Sequence, residues 1–150
     1  MAGEISRKEL ILALIPAGSA PRLAGVNLSV VDLTRLDLNG ANMRGANLQA
    51  ATLREAILRG VNLSYATLIT VNAVGVDLDS ANLTGANLSS SNLQSARLTN
   101  ANLNNATVNG ANLQGANMKG ATVNGLKFDE STIWPDGKKG SQGNPVSYTL

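Results

Sequence analysis

The sequence contains neither cysteine nor histidine. The absence of cysteine excludes disulfides and thiolate metal sites. The absence of histidine removes the commonest general base and the commonest transition-metal ligand, so the abundant serines cannot form a Ser-His-Asp triad. Only 15% of the residues are charged and the formal net charge is +2, so no strong field attracts nucleic acid or an anionic membrane. We therefore assign no catalytic, cofactor-binding or metal-binding residue, and we expect neither nucleic acid nor a membrane as a partner.

Long hydrophobic runs are also missing, because no stretch reaches the roughly 20 apolar residues of a membrane-spanning helix. The apolar run from Leu10 to Ala17 follows Arg7 and Lys8, an order found in signal peptides. Glu9 lies within this would-be signal, and the run is short. A cytoplasmic location is therefore expected, with an exported or organelle-targeted precursor as the alternative. The 150 residues are enough for one domain with a buried core.

A five-residue repeat runs from Val26 to Phe128 without an insertion or a deletion. Each unit has a small apolar residue, a polar residue, a large apolar centre and two variable residues, as in ANLQA at 46–50. Counted from Leu28 to Phe128, the centres make 21 units, of which 15 have leucine at the centre and 13 have alanine two residues earlier. An internal repeat of this regularity dictates the architecture before any other signal.

The period of five predicts a chain that turns once in every unit. Residues two apart on an extended chain point the same way, so the small apolar residue and the centre can both face inward. Glycine stands two residues after the centre in 9 of the 21 units, which suits a turn with positive φ. A continuous helix is excluded, because five residues advance about 500° and the apolar stripe would spiral around it. The pattern therefore predicts an all-β solenoid of short strands.

These units resemble the pentapeptide-repeat family, whose repeat is written A(D/N)LXX and many of whose members occur in cyanobacteria. The resemblance implies a right-handed quadrilateral β-helix in which four units form one square coil, here about five coils. We accordingly divide the chain into an N-terminal helical cap (1–25), the repeat β-helix (26–128), and a C-terminal cap with a flexible tail (129–150).

Stacking by twenty residues predicts three pairs of opposite charge on adjacent strands, where such pairs are favourable. They are Asp77 with Arg97, Arg59 with Asp79, and Arg35 with Glu55. Asp77 and Asp79 could alternatively bind a hard cation weakly, but the salt bridges are the simpler interpretation. The arginines at 44, 54 and 59 fall on three different faces of a square coil, which disfavours a phosphate-binding cluster.

Two departures from the repeat concern the interior. Ala73 replaces a large centre, and the preceding Val71 is larger than the usual alanine, which indicates a volume-conserving exchange. Ser91 stands where alanine is normal, so its hydroxyl needs a backbone carbonyl as partner. Both departures are interpreted as packing variation and not as a binding site.

The N-terminal segment has the pattern of a capped helix. Ser6 and Glu9 form a capping box, and Ile5 and Leu10 occupy the positions of a hydrophobic staple. The helix is expected from about Arg7 to Ile15, before Pro16. Its apolar face would cover the first coil, or alternatively bind a partner; it consists of Leu10, Ile11, Leu14 and Ile15.

At the other end, Phe128, Ile133 and Trp134 are expected to close the last coil. Residues 134–137 (WPDG) predict a turn, and the polar residues 138–150 are expected to be mobile. The ends of a β-solenoid expose unpaired backbone that invites association. We therefore expect a monomer or a weak dimer through an end coil.

The function that these features favour is a non-enzymatic protein–protein interaction scaffold whose partner the sequence does not identify. The resemblance also implies an alternative, because quinolone-resistance members of the family imitate duplex DNA and bind DNA gyrase. Those proteins depend on a strongly acidic surface. The repeat from Val26 to Phe128 instead has seven basic and five acidic residues, which disfavours this alternative.

Overall fold

A ladder of single-residue parallel bridges forms most of the chain in the computed structural model, which describes residues 5–14 and 20–150. From Arg22 with Asn42 to Thr107 with Lys127, each bridge residue pairs with the one twenty positions later. One coil therefore holds four five-residue units, and the coils span residues 21–40, 41–60, 61–80, 81–100 and 101–120. These described residues also contain one α-helix, α1 (Arg7–Leu14), and two 3₁₀ helices, Gly140–Gln142 and Pro145–Thr149.

Each unit ends in a tight turn, as the period predicts. The N–H of Ala41 donates to the carbonyl oxygen of Leu38 at 3.0 Å, and the same bond recurs along the repeat. The fifth residue of every unit from Gly25 to Gly125 has a positive φ, between 52° and 75°. This geometry is that of a type II turn. Non-glycine residues such as Thr70, at φ 55°, adopt it at a cost in backbone strain.

The interior is filled by the two inward residues of each unit. Leu28, Leu33 and Leu38 are fully buried, and the same holds for nearly all centres of the later coils. Val71 and Ala73 are each 1% exposed, so both fill the interior at the exceptional unit. The Ser91 hydroxyl donates to the carbonyl oxygen of Leu88 at 2.6 Å, which confirms the predicted partner type.

Helix α1 begins with the predicted capping box. The Ser6 N–H donates to Glu9 Oε2 at 2.8 Å, and the Glu9 N–H donates to Ser6 Oγ at 3.2 Å. Leu10 is fully buried and belongs to the same hydrophobic cluster as the coil interior. The predicted last helical residue, Ile15, lies outside the described residues. No helix in the described ranges is both long and apolar enough to cross a membrane.

The coil begins one unit earlier than the predicted boundary at Val26. Arg22 already pairs with Asn42, and the N–H of Leu23 donates to the carbonyl oxygen of Asn42 at 2.7 Å. Pro21-Arg22-Leu23 lacks the alanine and asparagine of the repeat, but it keeps an apolar residue at each inward position. Arg7 of α1 covers part of this first coil, because its guanidinium donates to the carbonyl oxygens of Asp32 and Thr34 at 2.6 and 3.0 Å.

At the C-terminal end the register shifts by one residue. Ile133 pairs with Asn112, twenty-one positions away, and then with Lys139 in an antiparallel bridge. Trp134 is fully buried, and its ring meets that of Phe128 edge-on at 5.1 Å between centroids. Ile133 is a half-buried bridge residue, so the interior of the last coil is closed by the two aromatic rings.

The tail over 138–150, expected to be mobile, makes defined contacts with the last coil. The Tyr148 ring stacks on Trp134 at 5.7 Å, and the Tyr148 hydroxyl donates to Asp136 Oδ1 at 2.9 Å. The N–H of Gly120 donates to the carbonyl oxygen of Thr149 at 2.7 Å. The tail therefore occupies one backbone donor of the last full coil and supplies an aromatic partner for Trp134, contacts that its polar composition did not indicate.

Candidate interaction surface

The outward side chains form four faces, because each of the four units in a coil stacks on the unit twenty residues away. Face 1 consists of the units centred on Leu23 and on every twentieth residue after it. Faces 2, 3 and 4 start in the same way from Leu28, Leu33 and Leu38. Arg44, Arg54 and Arg59 lie on faces 1, 3 and 4, so the predicted separation of these arginines is confirmed.

Face 4 carries a network of ion pairs. Asp77 Oδ2 lies 2.5 Å from Arg59 Nε and 3.8 Å from Arg97 Nη1, which confirms the pair with Arg97. The predicted pair of Arg59 with Asp79 is wrong. The Asp79 carboxylate turns toward the following coil, where it accepts a hydrogen bond from Thr99 and lies 3.8 Å from Arg97. The hydrogen bond to Asp77 raises the pKa of Arg59, and that from Thr99 lowers the pKa of Asp79.

Face 3 carries the third predicted pair, which is confirmed. Arg35 Nε donates to Glu55 Oε2 at 2.7 Å across twenty residues. The hydrogen bond from Arg35 lowers the pKa of Glu55. Both side chains are more than half exposed, so the pair contributes little to the free energy of unfolding. The pair is consistent with the register that the backbone bridges set at this face.

Asp77 and Asp79 on face 4 thus both lie within 4 Å of an arginine, which favours their salt-bridge interpretation. Within residues 5–14 and 20–150, no three aspartate or glutamate side chains converge as a metal-binding group. The assignment of no catalytic, cofactor or metal residue stays a prediction.

Face 1 holds a cluster of a different kind, built on Arg44 and Tyr65. The Arg44 guanidinium carbon lies 4.7 Å from the Tyr65 ring centroid, within the range of a cation–π contact. Arg44 Nη1 donates to Ser64 Oγ at 3.2 Å, and Ser64 Oγ donates to Asn62 Oδ1 at 2.7 Å. Ser64 is buried, whereas Arg44 is exposed and Tyr65 is 57% exposed. The guanidinium is therefore fixed between a buried hydroxyl and an aromatic ring.

The position of the Tyr65 ring depends on a glycine in the next coil. A Cβ atom built on Gly85 would lie 2.7 Å from two carbons of the Tyr65 ring, closer than side-chain carbons approach one another. Gly85 also has φ +65°, a conformation that suits glycine. The ring can lie flat on this coil only because residue 85 has no side chain.

The family is settled by a comparison with known sequence families. The family model described as "Pentapeptide repeats" matches eight copies in this chain, over residues 20–49, 62–100 and 96–134. The chain belongs to the pentapeptide-repeat family. No curated protein sequence matches it.

Solved pentapeptide-repeat structures similar to this chain include two from cyanobacteria. HetL, described as involved in heterocyst differentiation regulation in Nostoc sp. strain PCC 7120, is 32% identical over 79% of this chain, with a TM-score of 0.35. The aligned part spans 61% of HetL. Rfr23 from Cyanothece 51142 is 30% identical over 83% of this chain and 99% of its own length, with a TM-score of 0.42. QnrB1, a plasmid-mediated fluoroquinolone resistance protein, is 15% identical over 98% of this chain and 80% of its own, with a TM-score of 0.43.

The Arg44–Tyr65 cluster was missed in the sequence, although the pentapeptide register contains the signal for it. Ser64 follows Arg44 by twenty residues, and Gly85 follows Tyr65 by twenty. Stacking by one coil therefore places a hydroxyl beside the arginine and an open position beside the tyrosine. A search of the outward positions for uncharged partners, and not only for opposite charges, would have found it.

Proposed function

We propose that this pentapeptide-repeat protein is a non-enzymatic protein–protein interaction scaffold, built on the right-handed quadrilateral β-helix of its family and acting in the cytoplasm. The observation that carries the proposal is the continuous bridge ladder from Arg22 to Ile133, which holds the outward side chains of five coils in fixed register. Surfaces ordered before binding lose less conformational entropy when a partner docks.

The chemistry of the faces supports this proposal. Buried or half-buried hydrogen bonds fix several outward side chains, such as Arg44 on Ser64 and Thr99 on Asp79. The outward positions are mainly polar and uncharged, and the large apolar side chains are inside. Such faces suit recognition by hydrogen bonds and by a few anchoring side chains.

The experiment is to identify a protein retained by the immobilised chain from its native source, purify it, and titrate it calorimetrically against a set of variants. Each variant removes one exposed side chain from one face. The set consists of Tyr65→Ala, Gln49→Ala, Arg54→Ala and Lys119→Ala, on faces 1, 2, 3 and 4. We expect one variant to weaken Kd by about tenfold, or 1.4 kcal/mol, and the other three to serve as its controls. A purified partner whose affinity none of the four changes would contradict binding through the faces.

The gyrase alternative has its own test. An imitation of duplex DNA requires a polyanionic surface, and this repeat has an excess of two basic residues. We expect no inhibition of DNA supercoiling by gyrase when the chain is present at micromolar concentration. Specific inhibition at low concentration would contradict the scaffold proposal.

A further inference from the structure

We propose that face 1 is the docking surface and that its partner is an acidic protein segment, with a carboxylate of the partner bound by Arg44. This inference rests on the proposed scaffold function and adds the face and the chemistry of the partner. Three observations on the described residues support it: the fixed guanidinium, a row of unused donors beside it, and the charge of the face.

The guanidinium of Arg44 is ordered but not neutralised. Arg35, Arg59 and Arg97 each lie within 4 Å of a carboxylate oxygen, as does Arg7. In the described part of the chain, Arg44 has no such partner, and one Nη1 bond to Ser64 is its only side-chain hydrogen bond. Its remaining N–H donors form a planar fork that matches a carboxylate. Because Tyr65 and Ser64 already fix the side chain, binding loses little of its rotamer freedom.

A row of asparagines continues the donor surface along face 1. Four consecutive bridge positions are asparagine, and the Oδ1 of each accepts a backbone N–H two residues later, at 3.0 to 3.2 Å. These residues are Asn42, Asn62, Asn82 and Asn102. Their acceptor atoms are thus used, and no Nδ2 donor of the four is bonded to another described residue. Face 1 therefore offers N–H groups in excess and suits a partner rich in acceptors.

The charge of face 1 points to the same chemistry. The outward positions of its units, from Arg22 to Gly125, include two arginines and no aspartate or glutamate. Carboxylates stand on each of the other faces, for example Asp129 on face 2, Glu55 on face 3 and Asp77 on face 4. The other faces therefore present acids as well as any bases they have, whereas face 1 presents bases alone to a partner with carboxylates.

Tyr65 supplies the apolar anchor of this surface. Exposed tyrosine and arginine side chains are enriched among the residues that dominate interface affinity. Here they are in contact, and both lie in the middle of the rod, in coils 61–80 and 41–60. An acidic segment could bind Arg44 through a carboxylate while its aliphatic stem packs on the exposed edge of the ring.

The test uses a fluorescein-labelled deca-glutamate peptide and the full chain at low salt, followed by fluorescence anisotropy. We expect saturable binding that weakens as salt is added, since the charges are exposed. Arg44→Gln should weaken Kd by about tenfold. Arg54→Gln is the matched control, because it removes one exposed arginine from face 3, and it should change Kd by less than about twofold. Equal losses in the two variants would mean attraction by net charge alone and would overturn the proposal.

Four further variants separate the positioning of Arg44 from its charge. Tyr65→Phe keeps the ring and should bind like the natural chain, whereas Tyr65→Ala should weaken Kd by about fivefold with an unchanged melting temperature. Gly85→Ala displaces the ring and should weaken binding, while Gly60→Ala, with no atom within 4 Å of its new Cβ atom, should not.

Two results would overturn the proposal and leave the scaffold function intact. One is a Kd for deca-glutamate weaker than about 1 mM, together with a purified protein partner whose affinity depends on another face. The other is tighter binding of a deca-thymidylate oligonucleotide with the same dependence on Arg44, which would assign face 1 to nucleic acid. The scaffold proposal itself fails if no face variant affects a purified protein partner, or if the chain specifically inhibits gyrase.

Discussion

The exchange of volume between Val71 and Ala73 makes the sharpest prediction about the interior. Both residues are 1% exposed and are the two inward residues of one unit on face 3. The units above and below have a leucine at the centre, Leu53 and Leu93. If Val71 fills part of the space that a centre leucine normally occupies, each residue should tolerate substitution only when the other changes too.

The expected changes in the free energy of unfolding follow from the numbers of carbon atoms that each substitution removes or adds. Val71→Ala removes two buried carbons, worth about 0.8 kcal/mol each, and leaves a cavity. It should therefore lower the free energy of unfolding by about 2 kcal/mol. Ala73→Leu adds three carbons to a packed interior and should cost about 1 to 3 kcal/mol. The double variant restores the ordinary alanine and leucine of the repeat and should lie within about 1 kcal/mol of the natural chain, a coupling of roughly 3 kcal/mol.

The assay is equilibrium unfolding in guanidinium, followed by far-ultraviolet circular dichroism on the two single variants and the double variant. The matched control combines Ala73→Leu with Val31→Ala, an inward valine on the same face two coils away. That pair should be additive within about 0.5 kcal/mol. Additivity in the Val71 and Ala73 pair as well would refute the volume exchange.

Two further predictions concern the turns and the C-terminal aromatic cluster. Gly85→Ala and Gly60→Ala should each lose about 1 to 2 kcal/mol to backbone strain, but only the former should shift the ring resonances of Tyr65 in nuclear magnetic resonance spectra. Burial is the main reason that the pKa of Tyr148 rises from 10.0 to about 12. A folded-state pKa above the unfolded value stabilises the fold below pH 10, and this contribution is lost as the pH rises toward 12. Fluorescence of Trp134, the only tryptophan, should report this loss, and Tyr148→Phe should abolish it.

The backbone was more predictable than the side chains on its surface. The period of five predicts which residues point inward and where the chain turns. The resemblance to the pentapeptide-repeat family adds that units twenty positions apart stack, and with it the Arg35–Glu55 pair could be predicted. The partner of Arg59 does not follow, because Asp77 and Asp79 both lie within reach and the choice depends on side-chain rotamers. The register places residues side by side, but it does not orient their carboxylates.

The two ends illustrate a second limit of sequence reasoning. Residues 21–23 were placed in the N-terminal cap, although Arg22 pairs with Asn42 in the register of the later units. The tail was predicted to be mobile from its polarity. Its contacts include the Tyr148 ring stacked on Trp134 and the backbone bond of Thr149 with Gly120, and composition averaged over thirteen residues conceals individual contacts of this kind.

The one-residue register shift at Ile133 has a consequence for polymerisation. A parallel ladder that ended in register would offer its last coil as a template for another copy, and repeated addition would give a fibre. Here the antiparallel bridge from Ile133 to Lys139 reverses the chain, and Thr149 occupies the N–H of Gly120. Addition of another copy at this end would first require the tail to detach. The tail therefore opposes end-to-end polymerisation at the C-terminal end of the rod.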